Sequence, residues 1–525
     1  MSRSWPVAVV AALLATLVLA APAGAASAPP SDDPFYDQPA NLASAKPGEI
    51  LRKRDVDVAL GGSPATFGAT QVLYRTINQI GQPSATVATI IRPPVPAGGT
   101  RLLSYQTAYD GVADTCRPSY ALQPGNSGGN AIVTAESGLI GTYLAQGYTV
   151  VTSDYQGPSD DFGAGREDGQ GTLDAIRAAE TQLGATPGST QTGLVGYSGG
   201  SIASMWAAQL APGYAPELKI VGVAAGGIPT DFAHNLDYIA GSPDWAGAIP
   251  AVGIGLARGS RLDLGKMLSE RGREVAAEVQ KGCLNPAGFP GLKLEDMLKP
   301  EYKDWQKVPA LVKVFNESIM GRDATPKVPL LMAVGNDDGT GDSVMIAKDV
   351  QQLGHTYCDR GLPVQFQELT GMDHTAAFAG FAPLAITFLQ ARFADTAPTS
   401  SCPIAEGNPL TPLKRPAGAA ELTDGVLLEG LKSKRRKPTI LVRATASDLQ
   451  DVGIEVVSKR KGKKPKTSST AVEGVVGYDG ARVSLPVRKL KKSTSYRIVA
   501  TARLGTADVE TTLEVKSKKK RKKGH

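Results

Sequence analysis

Two stretches of this chain match Gly-x-Ser-x-Gly, a pattern that makes a serine hydroxyl an acyl-transfer nucleophile when a strand enters it and a helix leaves it. Ser127, in Gly125-Asn126-Ser127-Gly128-Gly129, follows Pro124 and a polar stretch, with no strand pattern before it and no helical pattern close behind. Ser198, in Gly196-Tyr197-Ser198-Gly199-Gly200, follows the apolar Gly193-Leu194-Val195 and precedes a small-residue run containing Ala203, Ala207 and Ala208. Flanking glycines permit a strained turn, and a helix N-terminus favours the negative charge that develops in acyl transfer. Ser198 is the expected nucleophile.

A serine hydroxyl attacks only when a positioned base takes its proton. The chain has four histidines, so the search is short. His525 ends a lysine tail, His234 opens a long insertion, and His355 falls near the end of a predicted helix. His374 lies in Thr370-Gly371-Met372-Asp373-His374, after the last strand of the catalytic region and before its last helix. That is the carboxyl edge of an open α/β sheet, where ligands bind. The third group must be a carboxylate on a neighbouring strand end that orients the imidazole. The apolar run Val328 to Val334 ends at Gly335-Asn336-Asp337-Asp338, and Asp338 is the expected partner, with Asp337 and Asp342 close by. The order Ser198, Asp338, His374 is that of an α/β-hydrolase.

These residues need a scaffold, and the pattern from about Pro34 to Arg392 supplies one. Short β-branched runs at 71–78, 86–92, 101–107, 149–155, 192–195, 220–224, 328–334 and 364–369 read as strands. Longer stretches at 169–183, 199–210, 343–353 and 376–393 read as helices. Such alternation predicts an α/β fold with a mainly parallel sheet. Residues 231–322 break the rhythm: they contain no strand pattern and include the apolar run Trp245 to Leu256, which predicts an inserted helical cap.

With 525 residues, 42% of them hydrophobic, the chain has enough apolar surface for one large core and a smaller second one, which excludes a disordered or collagenous chain. The net charge of +6 hides a split, because the part from Ile404 onward carries +16 and the part before it −10. Residues 403–435 read as a linker, and 436–515 as a small β-sandwich of short alternating segments. Residues 516–525 form a basic tail. At the other end, Arg3, the apolar run Val7 to Ala21 and the small residues Ala23-Gly24-Ala25 have the layout of a secretory signal, so residues 1–25 are expected to be removed and the protein secreted. Four cysteines in an exported chain, none at zinc-ligand spacing, predict two disulfides, and four cysteines permit three pairings. No metal is expected.

The elbow, the segment Ser104-Tyr105-Gln106-Thr107-Ala108-Tyr109-Asp110 with Cys116-Arg117-Pro118-Ser119-Tyr120, and Asp154-Tyr155-Gln156-Gly157-Pro158 together resemble the secretory lipases typified by yeast lipase A. The resemblance covers about residues 33–402. It implies an α/β-hydrolase with a helical lid that cleaves carboxylic esters such as triacylglycerols without a cofactor, and a triad at Ser198, Asp338 and His374. It further implies an oxyanion hole from Gly199 N–H and Asp110, and disulfides Cys116–Cys283 and Cys358–Cys402. The acid loop departs from the family pattern, reading Gly339-Thr340-Gly341-Asp342 where relatives have apolar residues and a proline. The C-terminal domain lies outside the resemblance.

Two other readings fit parts of the sequence. One is an envelope-binding protein whose Lys-rich C-terminus holds an anionic surface, nucleic acid not being expected for an exported chain. The other is a peptidase or acyltransferase on the same scaffold, because a fold does not fix a substrate.

Overall fold

The computed structural model describes residues 26–61, 66–96, 100–126, 130–322, 324–414, 426–432, 437–444, 450–460, 462–472, 476, 481–491, 494–504 and 507–516. The proposed leader, Ser127, His525 and nearly all of the basic tail lie outside them.

Nine strands form one sheet: β1 (Ile50–Ala59), β2 (Thr66–Ile77), β3 (Pro83–Ile91), β4 (Leu102–Gln106), β5 (Thr149–Ser153), β6 (Gln191–Tyr197), β7 (Lys219–Gly226), β8 (Leu330–Asn336) and β9 (Val364–Thr370). Their order is β1-β2-β3-β5-β4-β6-β7-β8-β9. The β1/β2, β2/β3 and β3/β5 pairs are antiparallel, and the other five are parallel. All eight expected strands are present. β1 goes unpredicted because its alternating Arg, Lys and Asp suit an edge strand that exposes one face.

Side-chain alternation splits the core in two. On one face Leu102, Leu194, Ala225 and Met332 pack with α3 (Gly165–Gln182), α4 (Gly199–Tyr214) and α10 (Ala347–Asp359). On the other, Leu103, Val195, Ala224 and Leu331 share a core with α1 (Pro118–Ala121), α2 (Ala131–Ala145) and α11 (His374–Phe393). This is the period-two pattern of a sheet buried on both sides. α11 is long and apolar enough to cross a membrane, yet its Phe381, Ala385 and Leu389 are fully buried against the sheet. α2 escapes the pattern reading because Ala, Gly and Thr give it little amphipathic contrast.

Between β7 and β8 the described chain is helical and strandless. It contains α5 (Phe232–Tyr238), α6 (Ala248–Gly259), α7 (Glu270–Val279), α8 (Leu294–Met297) and α9 (Pro309–Ser318). Apolar residues such as Ile249, Val252 and Leu256 join the main core, so this insertion packs on the body. The Cys116–Cys283 and Cys358–Cys402 disulfides are both formed, as the resemblance implies.

The C-terminal unit consists of a three-stranded sheet, β10-β11-β14, and a four-stranded sheet, β13-β12-β15-β16. The strands are β10 (Val426–Lys432), β11 (Thr439–Ala444), β12 (Gln450–Arg460), β13 (Lys466–Ala471), β14 (Ala481–Ser484), β15 (Thr494–Leu504) and β16 (Ala507–Lys516). Ile440, Val442, Ile454, Val456 and Ile498 form a core of its own. β10 falls inside the stretch that the sequence reading gave to the linker, and its pairing with β11 makes it part of the sandwich. β13 reads Lys-Thr-Ser-Ser-Thr-Ala and, being an outer strand with no apolar face, gives no hydrophobic signal.

Candidate active site

Ser198 stands where β6 ends and α4 begins, with φ of 52° and ψ of −124°, a backbone conformation that L-residues rarely adopt. The surrounding glycines make it attainable: a Cβ on Gly196 would collide with the Gly200 carbonyl, and one on Gly200 with the carbonyl of Gln106. The turn is pinned by Ser198 N–H donating to Gly226 O at 2.9 Å.

His374 is the first residue of α11, capped by Asp373, whose carboxylate accepts from Ala376 N–H. Its Nε2 lies 2.8 Å from Ser198 Oγ, and its Nδ1 lies 2.8 Å from Asp342 Oδ2. The ring is held between Tyr197 and Trp245, at centroid distances of 5.1 and 5.2 Å, and Tyr197 O–H donates to the His374 carbonyl. β6, β8 and β9 therefore deliver the three side chains to one rim of the sheet.

The acid is the correction. Asp338, the residue expected from the sequence, does not reach His374. It is exposed and turns back on its own loop, with Oδ1 accepting from Thr340 N–H and Gly341 N–H and Oδ2 from Tyr238 O–H. These bonds, led by that from Gly341, lower its pKa. Asp337 is exposed as well. After β8 the chain makes an excursion over 337–341, closed by Asp337 N–H donating to the Gly341 carbonyl, and returns to the strand end only at Asp342, inside a second turn bridged by Gly341 and Ile346. Asp342 is fully buried, and its Oδ1 accepts from Val344 N–H and Met345 N–H at 3.0 and 2.6 Å, leaving Oδ2 for the imidazole. The paired glycines 339 and 341 are the sequence signal for this excursion.

Asp110, implied by the resemblance, lies against the elbow, since a Cβ on Gly199 would strike its Oδ1. That oxygen is buried without a hydrogen-bond partner, and burial raises the carboxyl pKa to about 7. Behind it Glu136, raised to about 8 by burial, accepts from Ala108 N–H and Tyr105 O–H. The other two described histidines are elsewhere: His234 bonds Asp349, and His355 bonds the Ile404 carbonyl.

An apolar cavity of about 320 Å³ opens onto this constellation. Ile132, Phe162, Ile202, Leu236, Val252 and Phe378 are among its walls, and Ser198, His374 and Asp110 are among the few polar groups on it. A hydroxyl paired with an imidazole, an imidazole paired with a carboxylate and an acyl-sized apolar chamber form a proton relay beside a hydrophobic binding site.

The sheet order, the strained serine turn and the inserted helices define an α/β-hydrolase. The family profile described as Secretory lipase matches residues 126–401. The chain belongs to this secretory lipase family. Lipase 10 of Candida albicans is 33% identical over 397 residues, covering 71% of this chain and 83% of that protein. A Mycobacterium tuberculosis protein described as a probable inactive lipase is 34% identical over 376 residues, covering 70% of this chain and 82% of its own. The closed state of Candida antarctica lipase A superposes with a TM-score of 0.67 at 27% identity, over 75% of this chain and 93% of that one.

Proposed function

We propose that this protein is a secreted serine carboxylic-ester hydrolase, a triacylglycerol lipase or esterase working through an acyl-enzyme. The observation that carries the reading is the continuous hydrogen-bonded path from Ser198 Oγ through His374 to Asp342, opening into an apolar chamber. His374 Nε2 takes the Ser198 proton as the oxygen attacks the ester carbonyl, while Asp342 holds the ring with Nδ1–H facing it. The tetrahedral oxyanion accepts from Gly199 N–H and from the Asp110 carboxyl, which burial keeps protonated up to about neutral pH. His374 then protonates the departing alcohol, and water repeats the sequence on the acyl-serine.

The helices between β7 and β8 act as a lid in this reading. Trp245 touches the His374 ring, and α6 walls the chamber, so substrate entry requires their displacement. A lipid surface favours that displacement by offering the apolar face of α6 an alternative to the core. The leader-like N-terminus and the two disulfides support export, and the Lys-rich C-terminal unit supports retention near an anionic envelope.

The test is fluorophosphonate labelling together with turnover of short- and long-chain p-nitrophenyl esters, beside Ser198→Ala. The variant is expected to lose labelling and to fall by about 10⁴-fold or more in kcat. Equal turnover in the variant removes Ser198 from catalysis, and labelling without ester turnover points to a peptidase or acyltransferase.

A further inference from the structure

The C-terminal sandwich gathers exposed basic residues at one pole. Register fixes which strand ends meet: Thr439 pairs Ser484 in one sheet, while Ser458 pairs Lys466, Arg460 pairs Thr494 and Ser495 pairs Lys516 in the other. Five residues separate β11 from β12, and at about 3.5 Å each they are too few to run back along the eleven-residue β12. The two sheets therefore share their poles. At one of these poles the described residues are 437–438, 462–465 and 485–491.

The three sequence connections to which these residues belong, 433–438, 461–465 and 485–493, contain eleven Lys or Arg and no Asp or Glu. Among the described residues of the basic pole, Lys463, Lys464 and Lys466 on the β12–β13 side and Arg488, Lys489 and Lys491 on the β14–β15 side are all exposed. Hydrophobic collapse does not require this arrangement, because these positions contribute nothing to the core. The cost of crowding like charges points to a compensating negative surface.

The composition selects among anionic partners. Eight of the eleven basic residues are lysine, a hydrated point charge that answers a diffuse negative field, and three are arginine, the side chain of bidentate recognition. The three connections contain no aromatic residue, so there is no platform on which nucleic-acid bases stack. Leu485 is buried and Val487 and Leu490 are half-buried, leaving no apolar wedge for insertion between lipid chains. We propose that the basic pole is a peripheral, charge-only docking surface for anionic phospholipid. Its value to catalysis rests on the ester-hydrolase reading, since it would hold the chamber near an ester-bearing interface; the binding itself does not.

The full-length protein is sedimented with phosphatidylcholine vesicles, with or without 30% phosphatidylglycerol, at low and high salt. Soluble short-chain ester hydrolysis is measured in parallel. Two triple variants are compared, Lys463→Gln/Lys464→Gln/Lys466→Gln and Arg488→Gln/Lys489→Gln/Lys491→Gln, together with their combination. The expected result is partition onto the anionic vesicles only, release at high salt, a fall of roughly tenfold or more for each triple variant and about a hundredfold for the combination, with soluble ester turnover and melting unchanged. Either triple variant serves if the combination fails to fold. Equal binding to uncharged vesicles, undiminished binding by the variants, or retention on heparin or DNA without vesicle binding overturns the proposal. Loss of wild-type ester turnover with vesicle binding intact sinks the hydrolase reading alone.

Discussion

His374 and Asp342 are joined twice: the backbone N–H of His374 donates to the Asp342 carbonyl at 2.8 Å, and its ring Nδ1 meets the Asp342 carboxylate at 2.8 Å. The loop after β8 and the loop after β9 thus position one another, and the ring cannot rotate without breaking both its own bond and the path to Ser198.

This double tie separates two neighbouring aspartates functionally. Asp342→Asn is expected to lower kcat by about 10⁴-fold, because the amide leaves the imidazole in the wrong tautomer. Asp338→Asn, on an exposed turn, is expected to stay within a few-fold of wild type. Steady-state kinetics on a soluble ester decides it, and the reverse ranking would return Asp338 to the relay.

Asp110 gives a pH signature. Its carboxyl donates only while protonated, so kcat/KM is expected to decline as pH rises through about 7. Asp110→Asn keeps a donor at every pH and should flatten that alkaline limb, while Asp110→Ala loses about 10²–10³-fold throughout. An unchanged alkaline limb in the Asn variant would assign the titration to another group.

Buried carboxyls also link stability to pH. Burial raises Asp110 to about 7, Glu136 to about 8, Asp154 to about 6 and Asp161 to about 7, the last against a hydrogen bond from Glu167 that lowers it; Glu167 is raised by burial and by Asp161, and Asp168 by burial with Asp161 and Asp110 adding to it. In each case the folded state holds its proton more tightly than the unfolded chain. The stabilisation is therefore complete below about pH 4 and is lost as pH climbs through about 6 to 8. Differential scanning calorimetry should find a lower Tm at pH 8 than at pH 5. Glu167→Gln, whose amide oxygen can accept from Gln79 N–H in place of the Glu167 Oε2 atom, should recover part of that loss at pH 8 and little at pH 5.

The Cys116–Cys283 bridge spans 167 residues of sequence. Replacing both cysteines by serine is expected to cost about 3–5 kcal/mol and to lower Tm by on the order of 5–15 °C. Thermal melting checks this, and an unchanged Tm would mean that packing alone holds the insertion in place.

The legible parts of this molecule were those where one residue type in one pattern had a single reading. Ser198 had a strand before it and small residues after it, and His374 had few rivals. Asp342 was harder, since three aspartates stand within six positions and only the turn closed by Gly341 and Ile346 decides which one returns to the strand end. Strands with β-branched cores announced themselves, whereas β1 and β13 carry polar residues on edges and owe their existence to a partner strand. Asp110 came from family resemblance, because the burial that makes its carboxyl useful is a tertiary property.

The disulfide at Cys283 sits one residue from Leu284, whose N–H donates to the Asp110 carbonyl, and Gly111 pairs with Cys283 itself. The insertion is consequently riveted to the body at the very edge where the Asp110 carboxyl is presented. As the proposed lid it would therefore not lift off as a plate but swing about that rivet, with the gap widening at the distal rim and the Asp110 side remaining the still axis of the door.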